Sequence, residues 1–417
     1  MRRSRRLRRV VSLVCALAIA VPLAACSSES TPSVVLPSAN PSTLPEAVRT
    51  QLSTAVERAM AASGSSGAVA GVWVPWAGTW TAGAGTLKPG GSPVTAGSSV
   101  SAGAVTQAMT CDVLFAMVKD GKVGLGDPVT TYVPGLPGYD NVTLGDLCNS
   151  TTGLPSFDGP LQARLLANPA RVWNPRELIA YGMSGTGVAN PGASFADADT
   201  NYVLLGVALE SASRLSAEAL YEKYVFGPTG MTNSSLPVNA ASDLRGSWSG
   251  TTAEGAVACA EPVDLGTVSP SFQFTAGGVV SDLTDLGRYT QALAMGARPY
   301  DTDKRFADPL PAAPDAPSWF TARGGTFQAG SLIGQFGATP GFLTAAFADK
   351  NTGMTVVVVL NNSRASATLV RSLAWQLAAI ASKLPATGGG TTPDAGLPWT
   401  ADDMAAQVAA AAICPIP

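Results

Sequence analysis

Histidine is absent from all 417 residues, and that one absence removes several chemistries at once. A Ser-His-Asp or Cys-His mechanism has no imidazole to act as general base. A zinc site of the usual Cys/His kind loses half of its donor set, and none of the six cysteines stands in a C-x-x-C pair that would supply thiolates instead. The sequence therefore implies no metal and no cofactor. Lysine is scarce as well: seven occur, at 88, 119, 122, 223, 304, 350 and 383, and none has a serine three positions earlier. The spacing S-x-x-K, which stacks a hydroxyl nucleophile and its amine base on one helix face, is thus missing from the chain. Acidic residues outnumber basic ones, 29 to 26, so the chain has no electrostatic footprint for nucleic acid.

Basic charge gathers at the N-terminus. Arg2, Arg3, Arg5, Arg6, Arg8 and Arg9 precede a run from Val10 to Ala25 without a charge, the basic and apolar halves of an export leader. The run is too short for a permanent transmembrane helix. It ends at Leu23-Ala24-Ala25-Cys26, where small residues before a cysteine fit a lipoprotein signal peptidase site, and Cys26 would then carry diacylglycerol. An ordinary secretory leader with an incidental cysteine is the alternative. Loss of residues 1–25 removes six of the 26 basic side chains and moves the net charge from −3 to −9. Attachment would then rest on acyl chains rather than a basic patch, on the extracytoplasmic side of the cell membrane. Residues 26–44, rich in Ser and Pro, read as a tether. Cys111, Cys148, Cys259 and Cys414 remain, an even set in an oxidising compartment that allows three pairings or free thiols.

The rest of the chain alternates helix and strand signals. Leu44 to Ala62 carries Val48, Leu52, Val56, Ala59 and Met60 at helical spacing, and AVAGVWV and TWTAGAGT between Gly67 and Thr86 read as a hairpin. A helix is expected from about Ala104 to Asp120, closed by Gly121. From about 125 to 270 short helical stretches are broken by Pro and Gly, without strand periodicity. Strand signals return near 327 to 361, with SLIGQF, GFLTAAFAD and MTVVVVLNN, before a helix from about Ala365 to Ser382. This order implies an α+β domain over 45–385, an antiparallel sheet flanked by N- and C-terminal helices with an inserted helical subdomain. Residues 386–417 form a Gly/Thr/Pro- and then Ala-rich tail.

Six segments in order resemble the serine β-lactamase and penicillin-binding superfamily, in its class C β-lactamase and D-alanyl-D-alanine carboxypeptidase-like branch. They are KDGKVGLGDPVTTYVPGLPG at 119–138, LGDLCNSTTGLPSF at 144–157, PGASFADADTNYVLLG at 191–206, FGPTGMTNSSLP at 226–237, AGGVVSDLTDL at 276–286 and TPGFLTAAF at 339–347. The resemblance implies a β-lactamase/transpeptidase-like fold, and it assigns positions. Counting back from KDGKVGLGDP, the family's serine falls on Ala104 and its lysine on Gln107. The Tyr-x-Asn motif falls on Asp197-Ala198-Asp199, His-x-Gly on Gln335-Phe336-Gly337, and a usual histidine on Ser150. A methyl cannot attack a carbonyl, and an amide cannot accept a proton near neutral pH. Packing and turn residues such as Gly153, Pro155, Asn201, Tyr202, Gly337 and Gly341 still fit, so the loss is confined to chemistry. The resemblance also sets the Cys148 segment beside the helix that carries Cys111, which implies a Cys111 to Cys148 disulfide. Asp197, Asp199 and Asn201 match the opening of a calcium loop, but Tyr202 and Ala208 replace its Gly and Glu, so the pair reads as a solvated loop.

The expected function is a membrane-anchored, catalytically inactive lipoprotein of this family that binds or scaffolds at the cell envelope, with a cell-wall peptide or acyl ligand in the groove. The alternatives are an active β-lactamase, D-Ala-D-Ala carboxypeptidase or esterase with an unrecognised nucleophile, and a structural protein whose groove is filled by its own side chains.

Overall fold

The computed structural model describes residues 36–184, 190–239, 242–266 and 268–416; the leader, Cys26 and the first part of the tether lie outside them. Helix α1 (Glu46–Ser63) turns Leu52, Val56, Ala59 and Ala62 inward and stops at Gly64, whose φ of 68° is a left-handed cap. Strands β1 (Gly67–Val74) and β2 (Gly78–Gly85) form the hairpin, and a two-residue β3 (Val100–Ser101) leads into α2 (Val105–Lys119). The insert follows as α3 (Leu144–Cys148), α4 (Asp158–Ala167), α5 (Pro175–Gly182), α6 (Asp199–Ser213), α7 (Ala217–Tyr221) and α8 (Gly227–Thr229). Its end holds β4 (Ser247–Trp248), β5 (Val263–Asp264) and α9 (Phe274–Gly277); β4 and β5 pair over two residues each, too few to leave a strand period. Then come β6 (Val280–Ser281), α10 (Leu283–Ala294) and α11 (Thr302–Phe306).

The remaining strands are β7 (Leu310–Pro311), β8 (Phe320–Arg323), β9 (Thr326–Ala329), β10 (Leu332–Thr339), β11 (Phe342–Asp349) and β12 (Thr355–Leu360), followed by α12 (Ala367–Ala381). They join the N-terminal hairpin in one eight-stranded sheet of order β2-β1-β12-β11-β10-β9-β8-β7. Ala70 stands opposite Val358, Val358 opposite Ala345, and Ala346 opposite Gln335, all antiparallel. Both faces are covered. Ala70, Val72, Val356 and Val358 pack with α1 and α12, while Val69, Val357 and Val359 pack with α2 and the helical insert. That double burial is why TVVVVL is an unbroken apolar run rather than an alternating one. β7 and β8 extend the sheet beyond the strands expected from 327 onward, and their two and four residues are too short for a readable alternation.

Every residue of α2 from Val105 to Met117 is buried, so the helix has no polar face. Asp112 on it is fully buried and sits between the guanidinium groups of Arg298, at 2.6 Å, and Arg305, at 2.9 Å, with the Tyr300 hydroxyl also donating to it. The tail folds back onto the domain. Its helix α13 (Ala401–Ala410) starts with a capping box between Thr400 and Asp403, and Trp399 stacks on Trp375 with ring centroids 4.6 Å apart. The amides of Ile413 and Cys414 donate to the Ala62 carbonyl at 2.9 and 3.1 Å. Disulfides join Cys111 to Cys148 and Cys259 to Cys414.

Candidate functional site

Ala104 is the residue from which α2 departs; it is 3% exposed and follows Gly103, whose φ is 51°. β10 crosses directly above it. A Cβ at Gly337 would stand 2.5 Å from the Ala104 Cβ, so this approach requires glycine there. One turn along α2, the Gln107 side chain donates from Nε2 to Asp199 Oδ1 at 2.9 Å, and its Oε1 accepts from Gln335 Nε2 at 3.0 Å. Gln335 also donates to the Gly325 carbonyl at 3.1 Å, and its Oε1 accepts from the Phe336 amide at 2.8 Å. Ala104, Gln107, Asp199, Gln335 and Gly337, widely separated in sequence, therefore meet at one place. Two primary amides and a carboxylate make up its polar line, and neither amide can serve as a base near neutral pH.

The loop that delivers the aspartates is held by Ser150. This residue is fully buried with a φ of 51°, an uncommon value for a residue with a side chain. Its hydroxyl donates to the Ala196 carbonyl at 2.9 Å and accepts from the Ala198 amide at 3.2 Å and from Asn201 Nδ2 at 2.9 Å. Thr152 donates to Asn201 Oδ1 at 2.5 Å, and the Asp199 amide donates to Ser156 at 3.1 Å. Asp199 thereby begins α6 facing Gln107, while Asp197 stays at the lip of the groove, exposed on its outer side. A solvated loop describes Asp197; Asp199 is turned inward and hydrogen-bonded.

Asp158, the first residue of α4, is the third carboxylate here. Burial raises the Asp199 carboxyl well above its ordinary range, and the charges of Asp158 and then Asp197 push the same way, against the opposing hydrogen bond from Gln107. Desolvation of its inner side, then Asp158, lifts Asp197 to about 6; on the open side solvent screens much of this repulsion. A carboxyl whose folded pKa exceeds its unfolded one stabilises the fold below the unfolded value and loses that contribution as pH rises through the folded value. Asp199→Asn should therefore raise stability by on the order of 1 kcal/mol at pH 8 and give no gain at pH 4. Thermal melts of both proteins at the two pH values check this; an equal change at both would remove the electrostatic cause.

Three further residues at this groove carry no signature in the sequence. Gln273 is 5% exposed, with neither side-chain atom in a well-formed hydrogen bond, and Thr339 is 6% exposed with an unpartnered hydroxyl. Asp158 Oδ1 is also without a partner. They come from α4, the segment before α9 and the end of β10, so no spacing links them. A larger cavity, of about 770 Å³, lies between α1, α12 and residues 397–403, on the other face of the sheet.

The family model described as Beta-lactamase matches residues 52–381. The chain belongs to the β-lactamase family. Among curated proteins, a penicillin-binding protein of Bacillus subtilis is 30% identical over 141 residues, covering 33% of this chain and 31% of that one. The D-alanyl-D-alanine-carboxypeptidase/endopeptidase AmpH of Escherichia coli is 31% identical over 140 residues, 32% of this chain and 36% of its own. The matched part thus spans about a third of either relative's length. A solved D-stereospecific amidohydrolase from a Streptomyces species superposes with a TM-score of 0.67 at 24% identity, over 77% of this chain and 96% of that one. This superposition shows the β-lactamase fold, with its eight-stranded antiparallel sheet and flanking helices.

Proposed function

We propose that this chain is a catalytically inert, lipid-anchored member of the β-lactamase family that binds a ligand at the extracytoplasmic face of the cell membrane. The observation that carries this reading is the methyl of Ala104 with the amides of Gln107 and Gln335 beside it, hydrogen-bonded to each other and to Asp199: the methyl is no nucleophile and neither amide is a base near neutral pH. Neighbouring hydroxyls do not replace them. Ser101 accepts from the Gly103 amide at 3.2 Å and Thr106 from the Val279 amide at 3.3 Å, and among the described residues neither hydrogen-bonds to a lysine. The binding role is supported by the edge of β10. β9 pairs with it only as far as Gly334, and beyond Phe336, whose amide is taken by Gln335, residues 337–339 have no strand neighbour on that side among the described residues. An extended cell-wall peptide or an acyl compound could add there through backbone hydrogen bonds. The anchor rests on the leader, the LAAC sequence ending at Cys26 and the tether after it.

One experiment tests both halves. Cells producing the protein are treated with a fluorescent penicillin and fractionated; the protein is expected in the membrane fraction without covalent label. A labelled band would overturn the inert reading, and unaltered protein wholly in the soluble exported fraction would overturn the anchor.

A further inference from the structure

Asp158, Asp197 and Asp199 stand together at the starts of α4 and α6, and among the described residues no lysine or arginine forms an ion pair with any of them. Like charges focused in a groove create a field that favours a cation. The second observation is independent of charge. Thr339, more than nine-tenths buried with an unpartnered hydroxyl, and Gln273, whose side chain faces Asp199, line a small recess beside Ser101. An unsatisfied buried polar group costs about 1–3 kcal/mol, so the Thr339 hydroxyl and the unpartnered Asp158 Oδ1 gain from a ligand that hydrogen-bonds to them. Thr339, Pro340 and Leu265 also belong to the adjoining cavity of about 200 Å³, where Asp158 faces Leu165, Trp248 and Phe272. The two recesses thus share a wall and make one groove, in which Asp158 is the carboxylate and stands in the larger, otherwise mainly apolar part with Trp248 and Phe272. The apolar part has the volume of roughly six or seven liquid waters, which suits a body of about five carbons.

We propose that this groove binds an organic cation, an ammonium or guanidinium group on a short apolar body, with the cation at Asp158, on the side of the groove toward Asp197 and Asp199, and the body against Trp248 and Phe272. A bare divalent metal suits it poorly, because among the described residues no three carboxylates converge closely enough to ligate one ion. A carboxylate or phosphate ligand would meet the like charge of Asp158. This names the ligand class for the site proposed above, and it rests on that reading only in taking the groove to serve binding rather than acyl transfer.

The test is a calorimetric titration of the full chain in a non-ionic detergent at pH 8, with n-pentylammonium, pentanamide and pentanoate as probes. Pentylammonium is expected to bind saturably and at least about tenfold more tightly than pentanamide, with pentanoate giving no saturable signal. Asp158→Asn should weaken pentylammonium about tenfold and leave pentanamide unchanged, whereas Trp248→Ala should weaken both; melting curves establish that each variant is folded. Binding of pentanoate as tight as that of the ammonium, indifference to Asp158→Asn in the folded variant, absence of saturable pentylammonium binding, or its displacement by millimolar calcium would each overturn the proposal. Acylation by penicillin is read separately on the covalent label, so failure of the inert reading is visible whatever the amine titration shows.

Discussion

With Ala104→Ser and Gln107→Lys together, slow covalent labelling by a fluorescent penicillin is the expected result, and adding Asp199→Asn should accelerate it by about 10² or more. A serine at 104 would start α2 beneath Gly337, where the missing side chain leaves the hydroxyl room. A lysine at 107 would enter the position from which Gln107 now donates to Asp199 at 2.9 Å. To take the serine proton that amine must be neutral. Asp199 beside it, with Asp158 and Asp197 close by, would hold it as ammonium, because opposite charge within a few ångströms favours the charged form. Removing the nearest carboxylate frees the base, and a positioned general base contributes roughly 10²- to 10⁴-fold. Labelling rates of parent, double and triple variants decide the matter. A triple variant no faster than the double would refute the electrostatic lock, and a labelled parent would refute the inert reading itself.

Arg305→Met is expected to cost about 3–5 kcal/mol of stability: Asp112 keeps Arg298 but loses one of its two guanidinium partners, and the buried Ala108 and Gly324 carbonyls lose their donor. The Arg305 side chain is fully buried and makes five hydrogen bonds: Nη1 to Asp112 Oδ1 at 2.9 Å and to the Tyr300 hydroxyl, Nη2 to the Ala108 and Gly324 carbonyls at 2.8 and 2.7 Å, and Nε to Gly324 again at 2.9 Å. Methionine fills much of the volume but strands these acceptors inside the protein. Arg305→Lys should fall between, since a single ammonium keeps the charge and loses the planar fork. Urea denaturation reads the change as a lower midpoint at unchanged slope. A loss under about 1 kcal/mol for the methionine variant would mean that the network does not hold α2, the helix bearing Ala104 and Gln107, in place.

How much of this was legible beforehand differs by element. The helices α1 and α12 could be read from their periodicity because each is long enough to repeat a pattern, and β10 to β12 from apolar runs long enough to stand out between turn residues such as Asn351 and Gly353. β7 and β8 could not, being two and four residues long. α2 was located by the glycine after it and the KDGKVGLGDP segment rather than by amphipathicity, because burial on all sides leaves it no polar stripe. The tail defeats a compositional reading altogether. Its Gly/Thr/Pro and Ala bias looks like a linker, yet Trp399 meets Trp375 and Cys414 reaches Cys259, contacts between residues 24 and 155 apart in the chain.

The sequence by itself determined which groups the chain holds: no histidine, and no lysine with a serine three positions before it. Those statements need only residue identity and order, and identity settles which groups can carry a proton. Only the tertiary structure decided what stands in place of the missing groups. Gln107, Asp199 and Gln335 form one hydrogen-bonded line, Asp158 joins the two aspartates, Gln273 faces Asp199, and the Thr339 hydroxyl is left buried and unpartnered. Hydrogen bonds and charge repulsion act over a few ångströms in space, and the residues concerned come from five separate segments whose separation along the chain bears no relation to that distance.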